Sequence, residues 1–582
     1  MTSVAVNSKL KSIIQNISKA DNFDFIVISS VFIYLLIIGL QGFDMCDEGW
    51  VLTTYQEIFK APGSVEYMFL YYTSALIGGI WNLLFGWMGY WGFRLLSCIT
   101  ITATYYFIYL ILKDYFNKKI LLIAIFLCIL VNNNGLMVFH HNYLTSFFIA
   151  LSCYLFFNGI KKESNLLVLF SGMILGINIF ARLPNLSMCT LILALIPYFC
   201  KSKNTTQTLK FIMYAICGFC CGIGLILLLL LILGHWKYLI NAFSLMQQAA
   251  TDNSSTHDIF YLFKVYASNY FTLTKIVCIT SIVPVIYMLS NQQSIINHKL
   301  FKALFTFIAV FGAILIAYKY SSLYILYGIS TLIIILTLIY IENIEIKTIC
   351  ILAFIWMHVL PIGSDFGIEN MGAFSFILAI PLSLGVIERY LKTSRKKLPI
   401  LKGYIWVLLW TIIVIDIYNV SNNCYFDSGS RYEKKYLINN PKANTFTTKR
   451  NCDLLNPLLS ELNKYVKKGD VLLQYMKCPT IHYLTETKPY IGNSWIWSYT
   501  PTAIREQLKK AYERNKKLPV VVREKSAIGT WYIYDPTWNN DMAPETYEHK
   551  NEKITIINDF LTKHRYKLVW ENEVFQILIP YS

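Results

Sequence analysis

Carboxylates gather at one place in this chain, Asp44-Met45-Cys46-Asp47-Glu48, directly after the first apolar run. A carboxylate close to a membrane span, facing a cavity at headgroup level, could serve as a general base toward an acceptor hydroxyl. From Glu48 onward, Trp50, Val51, Tyr55, Ile58 and Phe59 recur at helical spacing and form one apolar stripe, the pattern of a helix lying along a membrane surface. Asp47 stands at the start of that helix, where a carboxylate also caps free backbone N–H groups. Cap and base therefore compete for Asp47. Asp44 is a solvated loop residue on the first reading and the fallback base on the second.

The elements that must position these residues are apolar. Of the 582 residues 55% are hydrophobic and 15% charged, and the mean hydropathy is +0.47. Soluble domains average about 25% charged residues, so this balance points to lipid. Apolar runs of roughly 17–25 residues, enough to cross ~30 Å of hydrocarbon, recur from residue 24 to about 419. The expectation is a polytopic α-helical membrane domain over residues 1–419 and a smaller domain over 420–582. The first run, Phe25 to Leu40, follows Lys9, Lys11 and Lys19 and has no small-residue cleavage site after it, which reads as a retained anchor with a cytoplasmic N-terminus.

Positive charge fixes the expected orientation. If Tyr67–Phe85 dips into one leaflet and returns, about thirteen transmembrane helices remain, and most lysines and arginines of the short loops fall on the cytoplasmic side. The first outer loop then spans 43–91 and contains surface helices, and the 420–582 domain is extracytoplasmic. This bias also accounts for much of the +17 net charge without nucleic acid as a partner. Most polar features other than lysine fall on the same outer side: the acidic loop, His140-His141-Asn142, Arg182-Leu183-Pro184-Asn185, the stretch from Thr251 to Asp258, Lys319-Tyr320-Ser321, and the loop from Gly363 to Asn370.

This layout resembles the GT-C superfamily of membrane glycosyltransferases, with the protein O-mannosyltransferases and the lipid A aminoarabinose transferases as the nearest look-alikes. The resemblance rests on a first crossing, Asp47-Glu48 opening a helix, and a second embedded helix. Phe85-Gly86 with Gly92-Phe93-Arg94 adds to it, as does Asn142-Tyr143-Leu144. It implies transfer of a sugar from a polyprenyl-phosphate donor to a lipid, glycan or protein acceptor on the outer face, with either inversion or retention, in a multi-pass protein of the bacterial inner membrane. The essential acid of the family matches Asp47, with Glu48 beside it. The lysine-proline pair of some members is not evident; Pro62-Gly63-Ser64-Val65-Glu66 stands near its place.

A departing lipid phosphate needs neutralising charge. Arg182 is the first candidate, because a lone Arg at the end of a crossing must find a partner or water. Lys319, with Tyr320, is the second; snorkelling to the interface is the ordinary alternative for both. His140, His141 and the Asp252…His257-Asp258 set contain ligand types that suit a divalent metal. Adjacent histidines diverge on a helix, however, and substrate hydrogen bonding is the better reading, so no metal site is assigned. Asp365, in a glycine-flanked loop, could order the substrate.

Residues 420–582 alternate helical and strand patterns, the signature of a small α/β domain. Its aromatic run, Tyr490 to Tyr499 with Trp495 and Trp497, reads as core or interface before sugar stacking. Spacing leaves a Cys452–Cys478 disulfide open. No nucleophile triad, Walker loop or dinucleotide fingerprint occurs. Two rivals remain. A lipid-linked glycan flippase or transporter predicts charges inside crossings and an internal repeat, and a polysaccharide polymerase or ligase would use the 235–269 loop.

Overall fold

The computed structural model describes residues 22–131, 135–251, 259–292, 299–393, 398–427, 429–475, 477–515, 517–525 and 550–581. The chain is mostly helical, with a small sheet confined to its C-terminal part. Among the described residues eight helical segments are long and apolar enough to cross a membrane, and nine if the bent pair Ile368–Ser375 and Ala379–Thr393 forms one span. Every apolar run expected to cross falls on a helix. Several are short, including Asn22–Gly39, Lys118–Val131, Asn165–Ile179 and Ile344–Val359. Small residues set the closest helix packing. The helices Asn165–Ile179 and Thr205–Ile232 meet through Gly172, Gly176, Gly218 and Gly222, where any Cβ would run into the opposing backbone.

Charged residues lie buried inside apolar helices. Arg94 is buried in the helix Gly89–Leu112, and Asp416 in Pro399–Asn422, where it accepts a hydrogen bond from the Ser322 hydroxyl at 2.9 Å.

Five strands follow the last long apolar helix: β1 (Val471–Tyr475), β2 (Lys488–Pro489), β3 (Val520–Glu524), β4 (Tyr566–Glu571) and β5 (Phe575–Pro580). Their order is β2-β1-β3-β5-β4, with β1 parallel to β2 and β3, and β5 antiparallel to β3 and β4. The alternation of helix and strand expected after residue 420 is met, and the short helix Thr480–Thr485 and the strand β2 are additions. Cys452 and Cys478 are buried, unbridged thiols.

The acidic loop and this C-terminal part share one hydrophobic core, in which Phe43, Trp50 and Tyr55 pack with Leu455, Ile481 and Phe575. Backbone hydrogen bonds tie the two: Gly42 N–H to Phe446 O at 2.8 Å, Phe446 N–H to Leu40 O at 2.9 Å, and Thr480 N–H to Met45 O at 3.1 Å. The helix Asp47–Glu57 is buried along its length from Glu48 to Glu57, which corrects the expectation of a helix lying open on a membrane surface. Its apolar stripe is real, but its polar side is covered too. Thr53 and Thr54 donate to the carbonyls of Gly49 and Trp50, and the Lys442 ammonium reaches Gln56 Oε1 at 2.8 Å. The aromatic run also proves to be packing: Trp50 Nε1–H donates to Asn493 Oδ1 at 2.8 Å and its ring meets Trp495 edge-on.

Gly49 is required by this contact, because a Cβ there would overlap the backbone of Thr480. Gly49→Val should cost about 1–3 kcal/mol through overpacking. Thermal unfolding of the detergent-solubilised protein measures this, and an unchanged midpoint would mean that the contact does not constrain the loop.

Candidate functional site

Three neighbouring carboxylates receive three different environments. Asp44 is fully buried, and its oxygens accept the backbone N–H groups of Cys46 and Glu48, each at 2.7 Å. Asp44, not Asp47, is thus the acid that satisfies the free N–H groups opening the helix Asp47–Glu57. The exposed helix end cannot choose this from sequence, because either acid precedes a free donor. Burial and the charges of Asp47 and Glu48 hold the Asp44 carboxyl well above the ordinary range.

Glu48 is equally buried and paired with Arg94 at 2.9 Å. Its Oε1 also accepts Val138 N–H at 2.7 Å. The remaining guanidinium donors go to the carbonyls of Gly39 and Gln41, both at 3.0 Å, and of Gly42 at 2.8 Å. Every strong donor of Arg94 is therefore committed, and Glu48 has no free oxygen with which to do chemistry.

Asp47 is only half-buried. Its Oδ2 accepts a hydrogen bond from the Tyr425 hydroxyl, and no backbone N–H engages its other oxygen among the described residues. Burial raises its carboxyl above the ordinary value, offset by Tyr425, by the positive charge of Lys477 and by Cys46, while Asp365 adds to the rise. Asp47 is the one acid of the loop free to exchange a proton.

Arg182 is buried, at 6% exposure, and its guanidinium makes one hydrogen bond among the described residues, to Leu360 O at 3.4 Å. Burial lowers its pKa, against the pull of Tyr71 and Asp365. The charge of Asp365 is thus felt by both Asp47 and Arg182. His141 stacks on Tyr71 at 4.0 Å. His140 instead caps its helix, accepting Asn142 N–H at 3.2 Å, and burial pulls its imidazole down to about 3, so it is neutral. His140 Nε2, His141 Nδ1 and Asn142 Oδ1 are buried polar atoms with no protein partner.

Lys319 is exposed with its ammonium over the Tyr320 ring at 5.9 Å, and among the described residues neither makes a hydrogen bond or ion pair with the Asp47 or Arg182 groups. His257 lies outside the described residues. The oxygens of Asp44 and Glu48 are consumed by N–H groups and Arg94.

Arg94, Tyr425 and Lys477 were not singled out as site residues. Only Arg94 left a signal, since a lone Arg near the start of an apolar helix requires a partner. Breaking its pair should be severe. Arg94→Met leaves the Glu48 charge buried alone and should cost about 3–5 kcal/mol, with much of that recovered in Arg94→Met/Glu48→Gln. Denaturant unfolding of the two variants measures this, and equal stability of both would show that Glu48 is not the group Arg94 neutralises.

Residues 73–232 match the family model described as dolichyl-phosphate-mannose-protein mannosyltransferase. The matched stretch contains Arg94, His140, His141 and Arg182, and it begins after the acidic loop. No curated protein matches the chain. Over that stretch the chain is similar to a GT-C type family, and the match, together with the apolar helices, supports a membrane glycosyltransferase of mannosyltransferase-like kind.

Proposed function

We propose that this protein transfers a sugar from a polyprenyl-phosphate donor to an acceptor on the outer face of the membrane, with Asp47 as general base. The observation that carries the assignment is the half-buried Asp47 carboxylate, flanked by two acids whose oxygens are already committed. Asp47 would take the proton of the acceptor hydroxyl as that oxygen bonds to the anomeric carbon and the carbon–phosphate-oxygen bond breaks. The lipid phosphate leaves with the electron pair. Arg182, buried and with most of its N–H donors uncommitted, would neutralise it, with Asp365 and His141 beside it to order the polar groups.

The same reading divides the chain into a GT-C-like membrane domain over 1–419, with about thirteen crossings, and an extracytoplasmic α/β domain over 420–582. Helices that fall on the apolar runs between residues 22 and 422 support it. A membrane-bound lipid, glycan or protein acceptor fits a catalytic carboxylate set close to a membrane helix, and a bacterial inner membrane fits the polyprenyl carrier.

Transfer of labelled mannose from polyprenyl-phosphate mannose by the purified protein tests the assignment. Asp47→Asn should lower turnover about 10²- to 10⁴-fold while folding normally. Arg182→Met should lower it about 10²- to 10³-fold. Full activity in Asp47→Asn would remove Asp47 as base. Lys118→Cys should react with impermeant thiol reagents only from the cytoplasmic side; labelling from outside would break the topology.

A further inference from the structure

We propose that Tyr425, supplied from beyond the last membrane helix, is a positioning residue that holds and orients the Asp47 carboxylate as the base, with the charge of Lys477 acting from the docked C-terminal segment, so that the C-terminal domain completes the catalytic centre. This rests on the reading of Asp47 given above.

The placement of Tyr425 is unusually constrained. It follows the helix Pro399–Asn422 by a few residues and sits in a tight turn where Cys424 and Asp427 pair and Asp427 N–H reaches Cys424 O at 3.3 Å. The next residue, Phe426, is held at φ +45°, a left-handed conformation that is strained for a bulky side chain. Asp427 anchors the turn. Its carboxylate pairs with the Lys434 ammonium at 3.2 Å and accepts from Thr447 at 2.9 Å, from Asn451 at 2.8 Å and from the backbone N–H of Phe43 at 2.8 Å. Phe43 directly precedes Asp44. One buried carboxylate therefore fastens the turn that carries Tyr425 to the loop that carries Asp47, and the Tyr425 hydroxyl lands on Asp47 Oδ2.

Lys477 is fixed by a second attachment. Its backbone N–H donates to Glu524 Oε2 at 3.3 Å on β3, and three residues later Thr480 bonds the carbonyls of Asp44 and Met45, at 3.0 and 3.1 Å. The Thr480 hydroxyl also meets the Tyr90 hydroxyl at 2.7 Å. The titratable and charged groups acting on the acidic loop include Asp44, Cys46, Asp47, Glu48, Tyr90, Arg94, Asp365, Glu524, Tyr425 and Lys477. Tyr425 and Lys477 are the ones that favour the charged carboxylate from the C-terminal part, and burial with the Asp47 charge keeps the Tyr425 phenol protonated as donor.

Without either residue, burial acts on Asp47 less opposed. Its folded-state pKa is already above the ordinary value, so activity that needs the carboxylate is lost as pH falls through that raised value, and removing Tyr425 moves the loss to higher pH. A residue that merely packs would not move this limb.

The test is the pH dependence of kcat/KM for mannosyl transfer in Tyr425→Phe, Lys477→Met and Lys477→Arg, with the Asp47 carboxyl titration followed by infrared difference spectroscopy of each protein against its Asp47→Asn counterpart. Tyr425→Phe should lose about tenfold at neutral pH, move the acid limb and the infrared titration up by on the order of one pH unit, and have no further effect in Asp47→Asn. Lys477→Met should move both the same way and Lys477→Arg should restore them. If Tyr425→Phe does not fold, the Lys477 pair decides the same point. An unmoved infrared titration in the folded variants overturns the proposal. Moved titrations with full activity in Asp47→Asn would instead overturn the base assignment on which it rests.

Discussion

The buried ion pair between Glu48 and Arg94 is the constraint on which the arrangement depends. Two charges fully removed from water carry a desolvation cost that only complete hydrogen bonding can offset. Here the completion is supplied by the chain itself. Arg94 gathers the carbonyls of Gly39, Gln41 and Gly42, and Glu48 takes the Val138 N–H. The pair thereby fixes the exit of the first helix, the start of the acidic loop and the segment before the His141–Lys161 helix at a single point. A charge that would be a liability inside an apolar helix becomes the pin for a loop that has no regular partner of its own.

That pin separates the roles of three acids that are adjacent in sequence. Asp44 spends its oxygens on backbone N–H groups, Glu48 spends its oxygens on Arg94 and Val138, and Asp47 is left with one oxygen held by Tyr425. Two carboxylates are thus committed to building the loop, and the third keeps an oxygen that no backbone N–H takes among the described residues. The raised pKa of Asp47 follows from the same enclosure, tempered by the Tyr425 hydroxyl and by the positive charge of Lys477.

The C-terminal part is correspondingly more than an appendage. Its core is continuous with that of the acidic loop, and its strands hold the segment from Lys477 to Thr480 against Gly49. The Tyr490 to Tyr499 run, which could have offered faces to a sugar, is largely consumed in this contact, as the Trp50–Trp495 and Tyr67–Tyr499 ring pairs show. Buried polar atoms without a protein partner remain instead on His140, His141 and Asn142.

Much of this was legible in the sequence. Hydropathy and helical period are local properties, so the apolar helices, the position of the acidic loop and the alternation of helix and strand after residue 420 follow from neighbouring residues alone. Resemblance of short motifs pointed to the glycosyltransferase family that the match over 73–232 supports. What sequence could not assign was the role of each acid, because the deciding partners are remote: Arg94 is 46 residues from Glu48, and Tyr425 is 378 from Asp47. The apolar stripe of the Asp47–Glu57 helix likewise implied a surface, since nothing local announces that a second unit will cover its polar side. Sequence determined which groups are present at the site. Only the tertiary structure decided which of them remain free, because freedom is what is left after distant partners have taken their hydrogen bonds.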